Sequence, residues 1–303
     1  MEPKPAIRLW WRKLCWWLIY LGPRRDITVQ TSNGLLTLDS KDWLIGKHLY
    51  VRQSHEEGEM RSAISLLKKE GYLGNASRDT LLNVGANVGM TCIGLLKAGY
   101  FERAIAFEPA PNNYRLLVHN VNQNGLQHRI VHFPLGLSST EGELDLELSD
   151  DNSGDHRIRR TKDPGFFHEE KRRTIKVPVR TLDHVLSEQS SPMNESVGLV
   201  WVDIQGHEGQ FFEGARHFLS QGTPVVSEFW PYGIKRSGMS ADQYCRILSE
   251  LFTHFYVLVG EPFQKRAISG IRDLFDVNSK PREVCVVVLV QDRAVTETAL
   301  SAR

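Results

Sequence analysis

Apolar residues along this chain recur at two alternating periods. Near the start, Ile7, Trp10, Trp11, Leu14, Leu18 and Leu21 fall at helical spacing, with Arg8 and Arg12 opposite. Two short runs, Thr28-Val-Gln and Leu35 to Leu38, flank Ser32-Asn-Gly34 and predict a hairpin. Met60, Ile64 and Leu67 give a helix from Glu59 to Lys69, closed by Gly71. From Asp79 onward strands and helices alternate. Strands are expected at Leu81 to Val84, Ile105 to Phe107 and Arg129 to Pro134, with helices at Met90 to Ala98 and Asn112 to Asn124 between them. After an interruption come a helix at Leu182 to Ser187, a strand at Leu199 to Ile204, a helix at Glu208 to Leu219, a strand at Val225 to Phe229 and a helix at Ala241 to Leu251. The last strands, His254 to Val259 and Val284 to Val290, bracket an excursion with no crossover helix. This order predicts a doubly wound, mostly parallel α/β sheet with one antiparallel edge strand.

The interruption is informative. Leu144 to Leu148 and Thr174 to Val179 alternate as antiparallel strands around a polar loop, Asp150 to Arg173. A loop of that length in a compact domain is usually functional or disordered. Its basic runs, Arg157 to Arg160 and Lys171 to Arg173, are expected to be solvated. The organisation is therefore an N-terminal Trp-rich segment (1–25), a hairpin-and-helix unit (26–78) and a nucleoside-binding domain (79–294).

Composition narrows the classes. Over 303 residues, 37 Lys and Arg against 36 Asp and Glu leave a net charge of +1, no footprint for nucleic acid. The four cysteines, Cys15, Cys92, Cys245 and Cys285, lack paired spacing, so neither a zinc site nor a disulfide framework is expected. A reducing, cytoplasmic location follows. The run from Leu14 to Leu21 falls far short of the roughly 20 apolar residues of a membrane span. Tryptophan flanked by arginine suits a helix lying in a membrane interface. Packing on its own domain, a homodimer contact and a targeting segment stay open beside peripheral membrane contact through residues 7–21.

The chemistry concentrates in Thr80-Leu-Leu-Asn-Val-Gly-Ala-Asn-Val-Gly-Met90 and Ala104-Ile-Ala-Phe-Glu-Pro109. A strand, a glycine turn, a helix and a second strand ending on a carboxylate form a nucleoside-binding unit. The helix start offers free N–H groups, and Glu108 is suited to accept from ribose hydroxyls. A nicotinamide dinucleotide would ask for G-x-G-x-x-G, and here only Gly85 and Gly89 are in register. A smaller, phosphate-free nucleoside fits better, and S-adenosylmethionine is the commonest of these on this scaffold. Ligands in such sheets bind beyond the strands' C-terminal ends, which brings Asp203, His207 and Glu208 to the same place. Asp203 ends a strand, His207 titrates near neutrality and suits a base, and Glu208 suits the helix dipole. Glu228, closing the next apolar strand, needs a partner and is a further candidate. No firm metal-ligand set is visible.

Val84-Gly-Ala-Asn-Val-Gly89, Phe107-Glu-Pro109 and Trp201-Val-Asp-Ile-Gln-Gly-His-Glu-Gly209, in that order, resemble the FkbM family of S-adenosylmethionine-dependent methyltransferases. The resemblance runs from about Gly34 to about Val290. It implies a class I, Rossmann-like methyltransferase fold, with Asn83, Gly85, Ala86, Asn87, Gly89, Glu108 and Asp203 toward the cofactor. It implies O-methylation of a hydroxyl on a sugar, glycan or natural product. The strand-end position puts Asp203, His207 and Glu208 near the methyl group, and the catalytic candidates are Asp203, His207 and Glu228. Asn83 stands where the family usually has Asp and Gln205 where it usually has Glu. Asn152-Ser-Gly154 resembles a recurring element of the family near cofactor or acceptor. An N-methyltransferase and a non-catalytic binding or scaffold protein on the same fold are the alternatives.

Overall fold

The structure, a computed structural model, describes residues 5–74, 78–188 and 195–292, with the side chains of residues 5 and 6 left aside. Residues 293 and 294, the end of the expected domain, lie outside the described residues. Five parallel strands form the heart of the fold: β3 (Thr80–Val84), β4 (Arg103–Phe107), β5 (Ile130–Phe133), β10 (Val197–Val202) and β11 (Val225–Phe229). With β12 (His254–Val257), β13 (Arg266–Ala267) and β14 (Cys285–Val290), the order is β13-β12-β14-β11-β10-β3-β4-β5. The doubly wound class is the one expected, with one correction. The antiparallel strand β14 is interior, pairing with β11 through Val226↔Val288 and with β12 through Tyr256↔Val288. Its sequence, Cys-Val-Val-Val-Leu-Val, is apolar on both faces, which suits an interior strand and not an edge. The edge is the two-residue β13, antiparallel to β12.

The chain reverses strand order between β3 and β10, whose C-terminal ends lie side by side, with Val202 opposite Val84. Two apolar layers cover the sheet. One gathers Leu81, Ile93, Leu117 and Leu199, and the other Leu82, Val84, Phe211, Phe229 and Leu248.

The described residues of 26–78 pack into the main core. β1 (Asp26–Thr31) and β2 (Gly34–Asp39) form the expected hairpin, and its Val29, Leu36 and Leu38 enter the same layer as Leu81 and Ile93. Buried Asn120, on α5 (Pro111–Gln123), locks it in place. Its Oδ1 accepts from Thr37 N at 2.7 Å, and its Nδ2 donates to Val88 O at 2.8 Å. The hairpin is followed by α2 (Ile45–Arg52), which the sequence pattern did not announce, and α3 (Glu57–Lys69).

The first helix, α1 (Pro5–Leu21), packs on α2 through one tryptophan. Trp16 is fully buried, its ring 5.4 Å from that of Tyr50, and Arg12 Nε donates to Tyr50 O at 2.7 Å. Packing on the chain's own domain therefore describes one face of this helix. No helix among the described residues is long and apolar enough to cross a membrane.

The segment between β5 and β10 forms a second sheet. Here β7 (Gly142–Leu148) and β9 (Arg173–Arg180) are antiparallel as expected, joined by β6 (Gly136–Leu137) and β8 (Arg157–Ile158) in the order β6-β9-β7-β8. The intervening loop is tied down: of its basic runs Arg160, Lys171 and Arg173 are exposed as expected, whereas Arg157, Arg159 and Arg172 are paired and withdrawn from solvent. Arg157 Nη1 meets Glu169 Oε1 at 2.8 Å, Arg159 Nε meets Glu147 Oε2 at 3.2 Å and Arg172 Nη2 meets Asp155 Oδ2 at 2.5 Å. Arg157 also stacks 4.3 Å over the Trp230 ring. Buried guanidiniums need this many carboxylate partners, because removing one would leave a desolvated charge. All four cysteines are free.

Replacing Trp16 by alanine should cost about 3–5 kcal/mol of the docking of α1, the range for emptying a large aromatic site. Trypsin cleavage after Arg12 or Lys13 would read it, with the Trp16→Ala chain cut much faster than the native one and the domain beyond Asp26 left intact.

Candidate active site

The strand ends of β3 and β10 meet at a backbone contact that only glycine permits. Gly85, with φ +81°, would place a Cβ 1.9 Å from the carbonyl oxygen of Asp203. Gly85 N and Ala86 N both donate to Phe107 O, at 3.0 and 2.9 Å, and Asp203 N donates to Val84 O at 3.0 Å. The turn is thus held to both neighbouring strands. Asn87 follows in the left-handed region at φ +51°, and its N–H reaches Glu108 Oε2 at 2.8 Å. Glu108 Oε1 accepts from Ala110 N, also at 2.8 Å. Each carboxylate oxygen keeps a lone pair for another donor. Burial pushes this carboxyl up to about 7.

A cavity of about 320 Å³ opens over this floor, within the range of small-molecule sites. Gly85, Ala86, Asn87, Glu108, Asp203, His207 and Glu228 line it. Two expected cofactor residues do not. Asn83 is buried in β3 on the face shared with Leu81, because alternate strand residues point to opposite faces. Its Oδ1 has no hydrogen-bond partner among the described residues. Gly89 serves packing: a Cβ there would lie 2.8 Å from Leu117 Cδ1 and 2.9 Å from Ile93 Cδ1, and its φ of +90° starts α4 (Met90–Lys97).

One wall is acidic. Gln205, itself left-handed at φ +55°, donates through Nε2 to Asp203 Oδ1 at 2.8 Å and to Glu228 Oε2 at 3.1 Å. The amide bridges the two carboxylates, and a glutamate there would add a third negative group. Glu228 thereby has the partner its position demanded. Burial raises the Asp203 carboxyl, opposed by the hydrogen bond from Gln205. It raises Glu228 well above the ordinary range, with Asp203 and Glu208 adding repulsion. Glu208, fully buried, accepts through Oε1 from Ile204 N at 3.1 Å and Gly206 N at 3.2 Å, so it holds the turn after β10. Burial pushes it to about 7.

His207 touches the cavity but is not free to act as expected. Its Nε2 pairs with Ser138 Oγ at 2.9 Å and its Nδ1 with Ser237 Oγ at 2.7 Å. Burial lowers it to about 3, so the ring is neutral and both nitrogens are engaged. This geometry gives His207 a structural task, joining the loop after β6 to the helix Pro231–Arg236.

The roof comes from residues without a motif. Ile45 and His48 of α2, with His55 and Glu56, line the cavity from above. The His48 and His55 rings are 4.8 Å apart, and burial drops His55 to about 4. Glu56, left-handed at φ +54°, is raised to about 8 by burial and by Asp203. The lone signal for them in the sequence was a His-Glu pair before a helix. Asn152, Ser153 and Gly154 close the side, as does His156. Ser153 Oγ bonds Asp42, Asn113 Nδ2 donates to Ser153 O at 2.9 Å, and a Cβ on Gly154 would strike Ile45.

These residues fit S-adenosylmethionine. Glu108 has acceptor capacity for ribose hydroxyls, the buried Asn87 Oδ1 lacks a partner among the described residues, and the acidic wall suits a sulfonium and an ammonium. Among the described residues no group of three or more His, Cys, Asp or Glu is arranged to hold a metal ion.

The raised carboxyls set a pH dependence. Glu108 and Glu208, near 7, and Glu56, near 8, keep protons in the folded chain that unfolded carboxylates, at about 4.3, have already lost. Folding then takes up protons, so stability falls as pH rises from about 6.5 to about 8.5. The buried histidines are neutral in both states across most of that window. The urea midpoint of the cofactor-free protein should be lower at the higher pH, and an equal or higher midpoint contradicts the buried acidic wall.

The methyltransferase FkbM domain model matches residues 83–256, more than half of the chain. No curated protein matches the sequence. Among solved structures, the chain is similar to the FkbM methyltransferase of Methylobacillus flagellatus (17% identity, TM-score 0.44), with 80% of this chain covering 52% of that one. It therefore spans about half the length of that protein. It is also similar to Pyrococcus horikoshii TYW2 in complex with MeSAdo (13% identity, TM-score 0.41, 88% of this chain and 71% of that one). A third is the Bacillus cereus O-methyltransferase in complex with SAH (13% identity, TM-score 0.37, 78% and 83%). These likenesses are too remote to bear on substrate. The family model, in contrast, spans the glycine turn, Glu108 and the Asp203–Glu208 segment together, and by it the protein belongs to the FkbM family of S-adenosylmethionine-dependent methyltransferases.

Proposed function

We propose that the protein transfers a methyl group from S-adenosylmethionine to a hydroxyl oxygen of a sugar, glycan or natural-product acceptor. The observation that carries this reading is the Asp203–Gln205–Glu228 bridge lining the same cavity as the Glu108 turn. A hydroxyl is a poor nucleophile until its proton has somewhere to go. A carboxylate with a raised pKa takes that proton more readily than an ordinary one. The cofactor, when bound, supplies an activated methyl group for in-line displacement. Asp203 is the base in this scheme, held in orientation by the Gln205 amide. Glu228, driven toward its protonated form, keeps a second charge away from Asp203. Glu108 holds the ribose, and the buried walls exclude water. His207, with both nitrogens engaged, is a positioning residue. The acidic wall would also receive a protonated amine, so N-methylation is the second reading. The methyl proton shift of the product separates an ether from an amine.

Glu108→Ala should weaken S-adenosylhomocysteine binding by about 1.5–3 kcal/mol, the range for hydrogen bonds to a charged group. Calorimetry reads this directly, and Glu108→Gln, which keeps one acceptor, should lose less. Native affinity in a folded Glu108→Ala chain would remove Glu108 from the ribose site.

Asp203→Asn should lower kcat by about 100-fold or more with cofactor affinity little changed, as expected for a group acting in the chemical step. Activity of the native enzyme should rise with pH as Asp203 ionises, and that limb should vanish in Asp203→Asn. His207→Gln should lower stability and keep the limb. Full turnover in Asp203→Asn on an accepted substrate would move the base elsewhere.

A further inference from the structure

The helix α1 buries one face and leaves the other bare. At about 100° per residue, Ile7, Trp10, Trp11, Leu14, Trp17, Leu18 and Leu21 fall within an arc of roughly 120°. Trp10, Trp11, Trp17, Leu18 and Leu21 are 58%, 54%, 49%, 58% and 60% exposed, whereas Trp16, on the opposite side, is at 0%. The helix is not loosely attached. Besides Trp16 and Arg12, the Tyr20 ring packs edge-on to Trp43 at 4.8 Å, and Lys41 Nζ bonds the carbonyls of Tyr20 and Gly22, the latter at 2.6 Å. An anchored helix thus holds three tryptophans outward. Solvent alone gives no reason for an apolar face of this size.

Its charge selects the occupant. Between Pro5 and Arg25 the chain carries Arg8, Arg12, Lys13, Arg24 and Arg25 and no Asp or Glu. Lys13 is exposed on the helix, and Arg24 and Arg25 are exposed just past its end, Arg24 pairing with Asp39 at 3.2 Å. A second copy docked on the same face would bring two clusters of like charge together. An anionic lipid surface offers the opposite sign, and tryptophan is at home at the headgroup level.

We propose that this face seats the protein on an anionic membrane surface, with α1 lying in the plane of the interface. Trp10, Trp11 and Trp17 enter the headgroup boundary, and the flanking arginines and lysine stay at the phosphates. Docking also orients the active site. Helix α2, on which α1 rests, supplies Ile45 and His48 to the cavity roof, and Leu44, 56% exposed, lines the cavity beside Trp43. The cofactor pocket is therefore carried at the bilayer by its own roof.

The test uses the full chain and requires no turnover, so it stands or falls apart from the methyl-transfer reading. At low salt the protein should sediment with vesicles of phosphatidylglycerol and phosphatidylcholine, and weakly with phosphatidylcholine alone. Its tryptophan emission should shift to the blue on binding. Added salt should weaken the association, because the Debye length shrinks. The triple variant Trp10→Ser, Trp11→Ser, Trp17→Ser changes exposed side chains and should keep native S-adenosylhomocysteine affinity while its vesicle partition falls at least about tenfold. A chain that stays in the supernatant with anionic vesicles at low salt overturns the proposal. So does a triple variant that binds vesicles like the native chain. A native dimer that shows no vesicle binding and dissociates in the triple variant would assign the face to a second copy instead.

Discussion

The backbone of Gly85 runs against the carbonyl of Asp203 with no room for a side chain, and the site depends on that contact. It brings the ends of β3 and β10 together at the point where strand order reverses, the place open α/β sheets reserve for ligands. Because Phe107 O takes two N–H groups from the same turn, the Glu108 carboxylate arrives beside it. The Glu108 carboxylate, a glycine floor and the acidic wall are then parts of one rigid junction. Phe107, Phe211 and Phe229, all fully buried, keep that junction from relaxing.

The wall is a cluster of carboxyls that burial alone would make untenable as anions. The protein manages it in three ways. Backbone N–H groups bond both oxygens of Glu108 and one oxygen of Glu208, the Gln205 amide divides its donors between Asp203 and Glu228, and several of the carboxyls are driven toward their protonated forms. The neutral residue at position 205, a departure from the usual family pattern, has a physical account. It is a donor where two acceptors already face each other. Asn83 is different: its Oδ1 is buried with no partner among the described residues, and the structure gives no account of it.

The first 78 residues contribute more than an attachment. Their hairpin shares the main core, their Glu56 and His55 complete the cavity, and Asp42 anchors the Ser153 loop across it. The same unit carries the exposed tryptophans of α1, so one N-terminal layer both lines the pocket and bears an apolar surface.

Much of this was legible in the chain itself. Helix and strand periods, the glycine turn before α4, the carboxylate after β4 and the antiparallel pair around the long loop are local patterns, and each is written within a dozen or so residues. Backbone chemistry decides them with little help from distant residues: Gly85 must be glycine, and a continuous apolar run must be buried. What the pattern could not decide is which distant groups meet. Ser138 and Ser237 occupy both nitrogens of His207 from 69 and 30 residues away, turning an apparent base into a strut. Arg157 and Arg159 of the long loop read as solvated until Glu169 and Glu147 are brought beside them, and no motif marked Glu56, which packs near Asp203. The place of β14 inside the sheet depended on a pairing made with both β11 and β12. A side chain's charge state and freedom follow from burial and partners, and these exist only once segments far apart in sequence have packed together.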